Sequence, residues 1–503
     1  MIFRHFSKLS LIATISAVGA SFMGACTAGP PSDDLAGDGD LELTQEGQEA
    51  LACSPIPNIS LERSLIVTDA AALAKFPLDT VLDHLLSTAS AGPSALELYQ
   101  RWWDSQNDTA GAVFPDAIHC DADGSTINGF PVQCPRNEGS LASSDPFDSA
   151  ATNPDFMKPV AIVNRFDLAP LDGAHCGEYR IIYAKRSSGV LDRNLIILEA
   201  QLPNPNPECG IAACRPVAEF WANLTSTNNA VDRANALETF YYDGIPGFAP
   251  ALHPDHFAEG AGQIRTNQFM SGPNDQIWQL REFKLEKAYD GPGGAARLFF
   301  KPTTVKENPF GELFNVNFSD SRTASFQTDF ISRVEPLIPA GSNVNQIVMK
   351  TPELFNAGQS NSQGTENEYA FHLNAGGANN TFIQAINAEV ASMSPPPPLP
   401  VSAVQVADRA TTQSCGGCHQ TSSGDYLGGF HTWPQHLSAF SFVHVDENSV
   451  LSKPLVETFL PHRKNVLQSY LQSTTCDACT SSVTASASSS EGIAGTLGGS
   501  TTH

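Results

Sequence analysis

The chain has 503 residues, 41% of them apolar and 16% charged, with 53 acids against 28 bases for a net charge of −25. That length predicts two to four domains, and the apolar content is ample for a real core. A surface this acidic repels nucleic acid and anionic headgroups, which argues against a nucleic-acid role; it keeps a protein soluble and could attract a basic partner.

The first elements are targeting signals. "MIFRHFSKLS" carries Arg4 and Lys8 and no acid, and "LIATISAVGASFMGA" follows as an uncharged run of apolar and small residues. This is the layout of a secretory signal peptide over residues 1–25, too short for a comfortable membrane span. Phe22-Met23-Gly24-Ala25-Cys26 resembles the lipobox of bacterial lipoproteins, with Met23 where Leu is usual. The resemblance implies acylation of Cys26, which becomes the mature N-terminus; ordinary signal cleavage nearby is the alternative. Thr27, rather than Asp, then favours the outer membrane within an exported, Gram-negative outer-membrane or periplasmic setting. Residues 26–52 are expected to be an acidic, disordered tether, because they cannot bury enough apolar surface to offset ordering. "DGDLELTQEGQE" begins like a calcium loop, but Leu43 sits where that loop needs Gly, so calcium is not expected.

Residues 53–393 form the main body. "DTVLDHLLSTASAGPSALELYQRWWDSQ" (79–106) has helical spacing with a break near Gly92-Pro93. Strand-like runs then dominate: 158–168, 177–186, 194–202, 263–269, 276–286 and 296–302. The quartet Leu195-Ile196-Ile197-Leu198 predicts a strand covered on both faces. "RPVAEFWANL", "AVDRANALETFYY" and "TASFQTDFISRVEPLI" read as helices. The fold class is therefore α+β, with a large, mostly antiparallel sheet. With Cys26 set aside, ten cysteines remain, and export makes disulfides their default. Cys120 pairs naturally with Cys134 across a turn-rich loop, and Cys176 with Cys209 or Cys214. No serine-hydrolase elbow, zinc-protease helix, P-loop or dinucleotide fingerprint is present, and the body resembles no nameable family. Its polar clusters, "HPDH" (253–256) and Arg165, Asp167, Asp172, His175 and Glu178 around one turn, are commonly structural. Whether the body is catalytic stays open.

"SPPPPLP" (394–400) is a semi-rigid spacer. Residues 401–480 follow as a small helical module, and 481–503 as a disordered tail. Val401, Val404, Ala407 and Ala410 recur every third residue and lead into "SCGGCHQTSSG". At helical pitch Cys415, Cys418 and His419 share one face. Covalent haem attachment needs two thiols and an imidazole so placed, and Gly416-Gly417 leave bare backbone that a flat macrocycle could approach. The segment resembles mono-haem c-type cytochromes. The resemblance implies thioether links at Cys415 and Cys418, His419 as proximal iron ligand, and a packed C-terminal helix, for which "KNVLQSYLQ" (464–472) is suited. The methionine that family commonly uses as distal ligand has no counterpart, since no Met follows Met393. His431, His436, His444 and His462 are the available distal ligands, unless the iron is five-coordinate. The expected function is electron transfer by an exported, lipid-anchored haem c protein with an unidentified redox partner. The alternative is a haem-free surface lipoprotein, with Cys415–Cys418 as a disulfide or Cys415, Cys418, Cys476 and Cys479 as a zinc site.

Overall fold

A computed structural model describes residues 56–89, 92–186, 192–270, 277–289, 294–377, 379–435 and 445–473. The signal peptide, the tether, Cys26, His436, His444, Cys476, Cys479 and the tail lie outside the described residues.

The strands, in chain order, are β1 (Ile66–Val67), β2 (Thr126–Ile127), β3 (Phe130–Pro131), β4 (Met157–Arg165), β5 (His175–Lys185), β6 (Asn194–Pro203), β7 (Gln263–Met270), β8 (Ile277–Tyr289), β9 (Ala296–Thr303) and β10 (Ser360–Asn361). β2 and β3 form a separate hairpin. The others make one sheet in the order β1-β4-β5-β6-β7-β8, with β9 and β10 sharing the outer edge of β8. Every pairing is antiparallel. The α+β reading with a large antiparallel sheet thus holds, and the six strand-like runs became β4 to β9. The short β1 and β10 carry no periodicity that a sequence reading could find.

The helices are α1 (Ala70–Leu73), α2 (Leu78–Leu86), α3 (Ala95–Asp104), α4 (Arg215–Leu224), α5 (Ala230–Tyr242), α6 (Thr323–Ile331), α7 (Tyr369–Asn374), α8 (Thr381–Ser392), α9 (Ala403–Thr411) and α10 (Leu460–Ser473). Their ends follow local chemistry. The Ser94 hydroxyl accepts from Glu97 N at 3.2 Å and starts α3. Ser402 and Gln405 form a reciprocal capping box that starts α9,. Among the described residues no helix is long and apolar enough to cross a membrane.

Cross-strand register sorts the sheet into two faces, because side chains alternate along each strand. One face carries Ile162, Ile181, Leu198, Ile264 and Phe283. Helices cover it: Trp102 of α3 meets Phe283 edge-on at 5.4 Å, and Trp221 of α4 stacks on Tyr179 at 5.6 Å. The other face carries Ile66, Val163, Arg180, Ile182, Ile197, Glu199, Arg265 and Leu280. The chain after the proline run packs there. Cys415, Cys418, Leu455 and Arg463 from that segment line a cavity with Ile66, Val163, Ile182 and Ile197. Tyr470 Oη donates to Ile211 O at 2.7 Å, and Arg215 Nη1 to Leu471 O at 3.1 Å.

Disulfides Cys120–Cys134 and Cys176–Cys214 close loops as the spacing allows. The second decides between the two partners open to Cys176 and takes Cys214.

Candidate functional site

α9 ends at Thr411, and the chain turns through Thr412 to Ser414 into a wider helical segment. Cys418 N donates to Ser414 O at 3.0 Å with ordinary α-helical spacing, and Ser422 N then donates to Gly417 O at 3.0 Å with the i→i+5 spacing of a π-helical turn,. Such turns occur mostly as single insertions, often at functional sites. Gly416 N donates to Ser360 Oγ at 2.8 Å, and Thr421 Oγ1 to Ser362 O at 3.0 Å, so the motif is pinned along β10. Trp433 Nε1 donates to Cys418 O at 3.4 Å from the far side.

The two glycines have a role different from the one their sequence suggests. A Cβ on Gly416 would stand 2.0 Å from Asn361 O, and one on Gly417 would stand 1.7 Å from Thr411 O. They are pressed against protein backbone: bareness at Gly416 lets the motif seat on β10, and bareness at Gly417 lets it turn tightly against the end of α9.

Cys415 and Cys418 are the free cysteines among the described residues, and both are buried. Together with His419 they line one cavity, whose opposite wall is the second sheet face: Ile66, Val163, Ile182, Ile197 and Leu280, with Arg180, Glu199 and Arg265 among them. Val445, Leu455 and Arg463 close the remaining side. The cavity measures about 90 Å3.

Burial decides the thiol chemistry. It pushes the Cys415 thiol up to about 11, against the pull of Arg265. It raises Cys418 further, with Cys415 adding to the effect. Redox-active CxxC motifs instead lower a thiol pKa to expose a thiolate nucleophile. This pair therefore lacks the electrostatics of a disulfide oxidoreductase.

Beneath the apolar wall lies a network of buried ion pairs. Arg180 bonds Glu178 at 2.7 Å and Glu199 at 3.1 Å; Arg265 bonds Glu282 at 3.1 Å and Glu199 at 3.3 Å. Arg165 bonds Asp167 at 2.8 Å, and Arg463 approaches that carboxylate at 4.0 Å. Burial alone would favour neutral Asp167 and Glu178. Arg165 and Arg463 outweigh it at the first, and Arg180 and Lys306 at the second, holding both carboxyls below the usual range. Two donors stay unmatched: Arg180 Nε and Arg165 Nη1 are buried without a hydrogen-bond partner.

The candidate polar turn thus divides. Arg165, Asp167 and Glu178 join the network under the cavity. Asp172 accepts from Ala174 N at 3.0 Å, and His175 Nδ1 from Gly177 N at 3.2 Å, both local turn bonds. Arg180, Arg265 and Glu282 were legible as charged residues in phase within otherwise apolar strands, and the sequence reading did not single them out. In "HPDH", His256 Nδ1 meets Ala251 O at 3.1 Å and is buried, and His253 Nδ1 accepts from Asp255 N at 3.3 Å. Among the described residues no cluster of His, Cys, Asp and Glu is arranged to hold a bare metal ion.

Of the four distal candidates, the structure describes His431 and His462. His431 is buried, with Nδ1 3.3 Å from Arg409 Nη2. His462 Nδ1 lies 3.3 Å from Asn343 Nδ2 beside a different, polar cavity. Neither is among the described residues lining the thiol cavity.

Comparison of the chain with protein-family models, curated proteins and solved structures returns no match.

Proposed function

We propose that this chain is an exported haem c protein whose role is electron transfer, with Cys415, Cys418 and His419 as the attachment site. One observation carries the reading: both free thiols and the adjacent imidazole open onto the same apolar-walled cavity. A disulfide staple requires the sulfurs bonded to each other, and they are free.

The donor set fits the group. Two unbonded thiols match two thioether links, and His419 matches a proximal ligand. The branched and leucine side chains of the sheet suit a planar apolar face. The orphaned Arg180 Nε suits an anionic carboxylate at the edge,. Small-molecule sites span roughly 300–1,000 Å3. The cavity, at about 90 Å3, lies below that range. A macrocycle would therefore need part of the lining to move aside.

Haem, when bound, supplies a reversible one-electron centre. The chain's own residues do the rest. Cys415 and Cys418 would hold it through thioether links, and His419, on the π-helical turn, would be its protein ligand. The apolar wall limits water, and the buried guanidiniums offset negative charge. No methionine follows Met393; were a histidine to complete the iron, the potential would lie below that of His/Met cytochromes. The Cys120–Cys134 and Cys176–Cys214 disulfides belong to an oxidising compartment,, which accords with export, lipid anchoring at Cys26 and attachment of haem outside the cytoplasm.

The test is co-expression with a c-type maturation system, followed by haem staining of the denatured chain. Staining that survives denaturation and is lost in Cys415→Ala/Cys418→Ala supports the proposal. A colourless, unstained wild type that is otherwise folded refutes it.

A further inference from the structure

The chain leaving the thiol motif folds into a short hairpin in which Tyr426 bridges to Thr432. Its backbone is held from within. Leu427 N donates to His431 O at 3.0 Å, and the buried Arg409 donates to Leu427 O at 2.8 Å and Gly428 O at 2.9 Å. Its outer side is aromatic: Tyr426 is 61% exposed and Phe430 58%. Tyr426 Oη donates to Gly429 O at 3.1 Å, which draws that ring toward the tip that carries Phe430. Exposed rings on a fixed frame offer contact area at little cost in conformational entropy, the quality of a binding anchor.

The charge around these rings is one-sided. Asp425, next to Tyr426, is exposed; Asp408 on α9 and Glu368 at the start of α7 are half-buried. The three lie close enough to act on one another. Burial, reinforced by Asp425 and Glu368, pushes the Asp408 carboxyl up to about 6, and burial with Asp425 raises Glu368. No basic side chain is among the groups that act on any of the three. The hairpin also backs on the attachment motif. Trp433 N donates to Asp425 O at 2.9 Å and Trp433 Nε1 to Cys418 O at 3.4 Å, so one buried ring stands between Cys418 and the exposed pair.

We propose that the Tyr426–Phe430 hairpin is the docking surface for a basic partner protein, one that sets lysines or arginines around an apolar contact. The rings supply apolar area and faces for cations. Asp408, Asp425 and Glu368 supply the complementary field, which also steers the approach. A second copy of this chain would set like charges against like and is repelled. That the partner exchanges electrons rests on the haem reading; the docking surface itself does not.

The probe is a lysine-rich mitochondrial cytochrome c, titrated into the full chain by calorimetry at low ionic strength. Saturable one-to-one binding that weakens as salt rises is expected. Asp408→Asn/Asp425→Asn/Glu368→Gln should weaken it by about tenfold or more. Asp123→Asn/Asp145→Asn/Asp148→Asn removes the same charge from exposed positions on other loops and should leave it within about twofold,. Phe430→Ser changes no charge and should weaken binding about fivefold; being exposed, it keeps the question decidable if the patch triple variant does not fold. No binding, equal loss in the two triple variants, or undiminished affinity in Phe430→Ser overturns the docking surface. A wild type that dimerises while Phe430→Ser does not overturns the basic partner in favour of a second copy. The expected pattern in a chain that carries no haem upholds the surface and removes only the partner's redox role.

Discussion

At the scale of single residues, Gly416 and Gly417 make the sharpest demand. Each approaches a backbone carbonyl at a distance no Cβ tolerates, and backbone cannot swing aside as a side-chain end can. Gly416→Ala or Gly417→Ala should cost about 2 kcal/mol or more and lower haem retention, since the first forces the motif off β10 and the second forces it away from the end of α9,. Gly341→Ala meets only the flexible end of Gln346 at 3.3 Å and should be near neutral in the same denaturant titration. Two kinds of buried carboxyl should respond oppositely to pH. Asp167 and Glu178 have folded pKa values below their unfolded ones, so their contribution is present above about pH 4.5 and is lost on acidification,. Burial raises Glu366 to about 7 despite amide donors from Gln359 and Asn361. Between its unfolded value and that point the folded state binds the extra proton, so stability falls as pH rises through the window. Glu366→Gln should therefore stabilise the chain by on the order of 1–2 kcal/mol at pH 8, with little effect at pH 4, measured by unfolding at both. Cys415, Cys418 and His419 were readable from spacing alone. The reason for the glycines was not, because the carbonyl that crowds Gly416 belongs to a strand 55 residues earlier.

At the scale of elements, α9 holds the motif in place, and Arg409 holds α9. Its guanidinium is buried and donates to Leu427 O at 2.8 Å, Gly428 O at 2.9 Å and Leu337 O at 2.9 Å. Arg409→Met keeps much of the volume but strands the carbonyls of Leu427 and Leu337 and weakens the bonding of Gly428 O, and should cost about 3 kcal/mol or more. Ser402→Ala removes half of the capping box and should cost about 1 kcal/mol; equilibrium unfolding of both variants checks the order. The helical reading here was nearly in phase. The buried stripe runs through Ala403, Val406, Ala407 and Ala410, with Val404 only half-buried. The main strands announced themselves through β-branched runs, and Leu195 to Leu198 is indeed enclosed between two layers. Arg409 gave no signal, because an arginine on a helix is usually solvated and only tertiary packing turned this one inward.

At the scale of the molecule, one sheet presents two faces of different character. The thiol cavity rests on the one where arginines and glutamates alternate with aliphatic side chains. The other meets α3 and α4 through aromatic rings. The loops around them are cross-linked: Cys120–Cys134 spans 14 residues and Cys176–Cys214 spans 38. Reduction should remove about 3 kcal/mol for each loop and lower the unfolding temperature, which calorimetry with and without reductant will read. The composition foretold a large core and an acidic surface. It could not foretell which cysteines stay unbonded, since that depends on distances set by the whole sheet. The central claim concerns those two sulfurs, and intact-mass analysis of chain matured in a c-type system tests it most directly. The account predicts one added haem per chain and no thiol at Cys415 or Cys418 left open to alkylation after unfolding. An unmodified mass, with both thiols alkylated, would contradict it.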